Sequence, residues 1–121
     1  YKGLYEDRCV SILLIETVQA VKNIESICSV EGVDAVFIAK FDLSTALGIP
    51  GEFEHKDFIS AVEKIESAAN AARVPLGGGP VRDKFEFDIF IEKGYRLLAN
   101  FDVLRLKNSI QENLNWKNEK S

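Results

Sequence analysis

Short apolar runs alternate with amphipathic segments along the whole chain, and this alternation constrains the fold more than any other feature. The first run, residues 9–15, is apolar on both parities and stops at Glu16; the second, 33–39, has the same character and leads into Lys40, Phe41 and Asp42. A run apolar on both faces reads as a strand covered on both, as in parallel sheets under helices. If the two runs are neighbouring parallel strands, Glu16 and Asp42 lie side by side at one end of the sheet. Two carboxylates there, with water, are suitable oxygen donors for Mg or Mn. The plainer alternative for each is a solvated or helix-capping acid.

Between these runs Val18, Val21, Ile24 and Ile27 recur every three residues among polar neighbours, which predicts an amphipathic helix of roughly three turns, with Gly32 placed for a left-handed cap. The stretch 43–57 contains Gly48, Pro50 and Gly51 and is too long for a simple βα turn. It reads as a loop with one helical turn near 43–47, and long loops at strand ends are where functional residues concentrate. Residues 56–73 have helical periodicity through Phe58, Ile59, Val62, Ile65, Ala69 and Ala72. A third strand is expected at 74–77, with Gly78, Gly79 and Pro80 after it, where missing side chains let backbone or ligand approach. A helix over 82–93, capped at Gly94, a strand over 95–101, and a last helix N-capped by Asp102 complete the chain. That helix continues through Val103, Leu106, Ile110 and Leu114, and the charged tail after Trp116 is expected to fray.

Four strands each followed by a helix imply a parallel sheet, either an open doubly wound sheet or part of a (β/α)8 barrel. The only glycine cluster, Gly77 to Gly79, lacks the spacing of a dinucleotide or triphosphate loop. With 46% hydrophobic and 28% charged residues, the chain has the profile of a soluble globular protein. No apolar run approaches the roughly 20 residues of a spanning helix, and no signal peptide opens the chain, so no membrane association and a cytoplasmic location are expected. The net charge of -4 is spread over mixed-sign segments without a basic stripe, which argues against a nucleic acid partner. Cys9 and Cys28 fall in an expected strand and an expected helix and read as buried reduced thiols. The chain has no methionine and opens on Tyr1, as a piece of a longer translation product would.

The motifs LLIET, EGVDAVFI, FDLSTALGIPGEFEH and the later FD at Phe101 and Asp102 carry a resemblance. From about residue 5 to 106 the chain resembles the second half of the HpcH/HpaI aldolase family. These are class II, metal-dependent 2-oxo acid aldolases, such as 4-hydroxy-2-oxoheptanedioate and 2-dehydro-3-deoxyglucarate aldolases. The resemblance implies an α/β fold of four βα units forming the C-terminal half of a (β/α)8 TIM barrel, with residues 1–121 a single partial domain. It implies Glu16 and Asp42 as the metal ligands, Mg or Mn as the metal, and the backbone at Phe41 and Asp42 facing the substrate carboxylate. The implied reaction is retro-aldol cleavage of a 4-hydroxy-2-oxo acid to pyruvate and an aldehyde.

The sequence departs from the family pattern beside both acids. Leu14 stands where a substrate-contacting Gln is usual, and Ala39-Lys40 where Gly-Pro is usual. The family's general base His and enolate-stabilising Arg come from the first barrel half, so no catalytic residue is expected in this chain. His55 and Arg82, with Lys84, read as helix-start residues rather than replacements. Phe85, Phe87, Phe90 and Ile91 read as core and interface, and Trp116 as a contact with another subunit. Four βα units cannot close a barrel, so a homo-oligomer or a complementing half-barrel is the expected partner. Two further readings stand beside the aldolase: a non-catalytic half-barrel for assembly or ligand binding, and a citrate-lyase-like carbon-carbon lyase.

Overall fold

Each apolar run of the chain forms one strand of a single four-stranded parallel sheet, with the strands in sequence order. The structure, a computed structural model, describes residues 9–119. The strands are β1 (Ile12–Ile15), β2 (Ala35–Ala39), β3 (Leu76–Gly79) and β4 (Tyr95–Leu98). The helices are α1 (Val18–Lys22), α2 (Ile24–Cys28), α3 (Lys40–Ala46), α4 (Lys56–Ala72), α5 (Lys84–Glu92) and α6 (Asp102–Glu119). Sequential parallel order with a helical crossover after each strand is the connectivity of a barrel wall.

Side chains alternate across a strand, and in β2 this sorts the residues into two sets. Val36 and Ile38 are buried under the helices with Ile24, Leu43, Ile65 and Ala69. Phe37 faces the opposite side, where a Cβ on Gly77 would come within 2.6 Å of its ring. The core therefore lies between sheet and helices, and the other face is open. In β1 only Ile15 is buried, and Leu14 is 57% exposed. The expected burial of this run on both faces does not hold, because β1 is an edge strand and no layer of described residues covers the far face.

Several boundaries differ from the sequence reading. The first helix is two short ones, because Asn23 leaves helical dihedrals at φ -98 and ψ 11, a departure that Asn tolerates well. Helix α3 begins directly at Lys40 rather than near 43, so Asp42 sits in its first turn. The third strand is displaced to Leu76–Gly79 and includes all three glycines, because pairing of Phe37, Ile38 and Ala39 with Gly77, Gly78 and Gly79 outweighs their weak strand propensity. Helix α6 continues past Trp116 to Glu119.

The expected glycine cap is realised at Gly94 with φ +84, while Arg73 ends α4 in the left-handed conformation. Both cysteines are free thiols; Cys28 is buried, which raises its pKa, whereas Cys9 is exposed ahead of β1 rather than buried within it. Phe90 is buried, but Phe85, Phe87 and Ile91 are exposed. Helix α6 buries none of its residues, so its apolar positions, Trp116 among them, face outward.

Candidate metal and substrate site at the strand ends

Strand register puts the two acids beyond the same end of adjacent strands. Ile15 pairs with Ile38, so Glu16 leaves β1 at the level of Ala39, and Asp42 follows three residues later. Glu16 is held between the end of β1 and Thr17, which N-caps α1 by accepting from the Ala20 N–H at 3.1 Å. Glu16 is half-buried and Asp42 exposed. Neither carboxylate has a hydrogen-bond or ion-pair partner among the described residues.

The segment FDLSTALGIPGEF builds the support for Asp42. Leu43 and Ser44 are fully buried in α3. The Ser44 hydroxyl donates to the Phe41 carbonyl at 2.9 Å and accepts from the Gly51 N–H at 2.9 Å, which ties the helix to the loop after it. Thr45 Oγ1 donates to the same carbonyl at 2.9 Å. Gly48 and Gly51 both have φ +78, the left-handed region that glycine adopts without strain. Phe53 returns from the loop to meet the Phe41 ring edge-on at 5.0 Å. The N-cap of α3 is Ala39, which offers no side-chain cap, so the first-turn N–H groups lack a side-chain acceptor.

Beside Asp42 the open face of the sheet forms a hollow of about 250 Å³, walled by Leu14, Phe37, Phe41, Pro80 and Phe101. Phe41 and Asp42 thus line one cavity with Leu14, whereas Glu16 stands outside its lining. Among the described residues no three His, Cys, Asp or Glu side chains gather as a metal cluster. Two carboxylates are hard oxygen groups of the kind that suit Mg or Mn.

Lys40 does not pair with Asp42. Alternation along β2 carries it to the helix side, where Nζ lies 4.6 Å from the centroid of the Phe90 ring. Burial lowers its pKa, with Glu86 the largest opposing influence. Sequence reading placed Lys40 beside the acids; counting the two-residue period on from Val36 and Ile38 would have turned it away. His55 is the N-cap of α4, its Nδ1 accepting from the Asp57 N–H at 3.2 Å. Arg82 is engaged by Glu86, with Nε 2.8 Å from Oε1, and Lys84 by Asp88 at 2.6 Å. Pro80 and Phe101 were not foreseen as cavity walls, because strand order, not local sequence, brings β3 and β4 beside β2.

Comparison with known proteins gives one family. A family model described as HpcH/HpaI aldolase/citrate lyase matches residues 2–102. The 4-hydroxy-4-methyl-2-oxoglutarate aldolase of Chaetomium globosum is 41% identical over 66 residues, 54% of this chain and 24% of that protein. A pyruvate aldolase of Rhizobium etli is 40% identical over 63 residues, 52% of this chain and 25% of that protein. A solved HpcH/HpaI aldolase/citrate lyase family structure from Burkholderia cenocepacia superposes with a TM-score of 0.86 at 27% identity, over 93% of this chain and 44% of that one. The matched stretches thus span about a quarter of these curated relatives and less than half of the solved structure. The four βα units have the fold of half a (β/α)8 barrel.

Proposed function

The chain belongs to the HpcH/HpaI aldolase/citrate lyase family, and from that premise we propose that it forms the metal-binding half of a class II aldolase. The protein cleaves a 4-hydroxy-2-oxo acid to pyruvate and an aldehyde, with Glu16 and Asp42 as metal ligands. The observation that carries this reading is the pair of carboxylates at one end of adjacent strands, neither committed to a described partner.

Divalent Mg or Mn supplies Lewis acidity toward a 2-oxo acid when bound. The chain's own contribution is positional. The N–H groups of Phe41 and Asp42 have no intrahelical acceptor in the first turn of α3 and are available to the substrate carboxylate. Leu14, Phe37 and Phe101 give the cavity an apolar wall that excludes water and strengthens polar contacts inside it. The 4-hydroxyl proton is removed by a His from the complementary barrel half, which also contributes an Arg. A complementing half-barrel or a second copy covers the open sheet face, where Ile12 and Leu14 are exposed. We place the protein in the cytoplasm; among the described residues no helix is long and apolar enough to cross a membrane.

Leu14 favours a second reading, a ligand-binding half-barrel without turnover, because an apolar side chain at this wall cannot hydrogen-bond substrate. Pyruvate release from 4-hydroxy-2-oxo acids separates the two. The 121-residue chain alone is expected to release little. A complete barrel, this chain with its complementing half, is expected to turn over and to lose activity in Asp42→Ala. Absence of turnover in the complete barrel with either metal would favour the second reading.

A further inference from the structure

A second hollow lies on the helix side of the sheet, between α4 and α5, and the aldolase reading does not use it. It holds about 220 Å³, room for about seven water molecules at liquid density. Phe53, Phe58, Val62, Ile89 and Phe90 make its walls largely apolar.

The charged groups around it are unequally satisfied. Glu66 accepts from Lys93 Nζ at 3.0 Å and from the Tyr95 hydroxyl at 2.8 Å. Glu86 is held by the Arg82 side chain and by the Arg82 N–H at 2.8 Å. Glu63 is exposed to solvent. Lys40 alone projects an ammonium toward the hollow without an ion-pair partner among the described residues, its contact being the face of Phe90 at 4.6 Å. An ammonium has three donors, and a partly desolvated cation on an aromatic wall gains more from an anion than one in water does.

We propose that this hollow is a binding site for a small monocarboxylate with an apolar body, its carboxylate on the Lys40 ammonium and its chain against Phe53, Ile89 and Phe90. Glu66 and Glu86 each hold a cation of their own by direct contact, Lys93 and Arg82, and act on Lys40 only as neighbouring charges. The size of the space limits the body to a few carbons or one ring. A neutral ligand of the same shape lacks the interaction that selects the site.

The test is isotope-edited NMR of the full chain titrated with hexanoate, and with hexanamide as the neutral control. Saturable shifts confined to Lys40, Phe53, Ile89 and Phe90 are expected with hexanoate, and at least tenfold weaker binding of hexanamide, the loss of about one charge-assisted bond. Lys40→Gln should weaken hexanoate to the level of the amide. Ile89→Trp, which fills the hollow from α5 without touching Lys40, should abolish the shifts and covers the case in which Lys40→Gln fails to fold. Equal affinity for acid and amide, or hexanoate shifts that persist in folded Ile89→Trp, would overturn the proposal.

Discussion

The rings of Phe41 and Phe53 meet edge-on with centroids 5.0 Å apart. This contact joins the helix that carries Asp42 to the loop that follows it, and Phe53 in turn lies 5.3 Å from Phe58 at the start of α4. The aromatic chain, together with the burial of Leu43, holds the Asp42 helix against the rest of the helical layer, and the Ser44 bond to Gly51 ties it to its own loop.

Truncating the middle ring should therefore loosen the site as well as the fold. Phe53→Ala is expected to cost roughly 2–3 kcal/mol, below the range for a fully buried Phe because Phe53 is half-buried. Denaturant unfolding measures the loss, and Phe53→Leu should recover most of it. An unchanged midpoint in Phe53→Ala would mean that the aromatic chain contributes nothing.

The glycines of β3 should rank by what an added methyl meets. In Gly77→Ala the Cβ lies 2.6 Å from a ring atom of Phe37, which can rotate on the open face, so a cost of about 1–3 kcal/mol is expected. In Gly79→Ala it lies 2.5 Å from the Ala99 carbonyl oxygen at φ +156, and backbone cannot swing aside. Urea midpoints should fall further for Gly79→Ala; the reverse order would contradict this packing.

Tyr95 should make stability fall at alkaline pH. Burial first, and the hydrogen bond to Glu66 second, hold its phenol far above the ordinary range. The folded pKa is raised above the unfolded value of about 10, so the contribution is complete below that pH and is lost as pH rises, when the unfolded chain ionises first. Tyr95→Phe should flatten the alkaline limb of a stability profile. An identical limb in the variant would contradict the assignment.

Glu86 should act at the other end of the scale. The Arg82 side-chain bond holds its carboxyl below the usual range, so its contribution is present above the unfolded carboxylate pKa and is lost as pH falls. The pair is solvent-accessible and the effect is correspondingly small. Glu86→Gln should shallow the acid limb slightly, and no change in slope would remove the pair from the balance.

The repeating period explains what could be read before any coordinates. The short apolar runs at 9–15 and 33–39 announce strands, and the DLS and PG motifs mark the segment that supports Asp42. Pairing partners were not legible in the same way. Gly78 and Gly79 look like a loop locally and become strand only because β2 lies beside them. Asn23 breaks one expected helix into two through its own dihedrals. The burial expected for residues 12–14 depends on a covering layer that no local pattern reveals. The position of Asp42 in a helix, and the turning of Lys40 toward Phe90, follow from a strand that passes into α3 without an intervening loop.

The metal assignment of Glu16 and Asp42 is tested most directly by thermal unfolding of the chain with Mg or Mn, beside Glu16→Ala and Asp42→Ala. A ligand at about a hundred times its dissociation constant adds about 2.7 kcal/mol, a rise of several degrees in a domain of this size. That rise is expected in the unaltered chain and should be absent from both variants. The same rise in both variants would contradict Glu16 and Asp42 as the metal ligands.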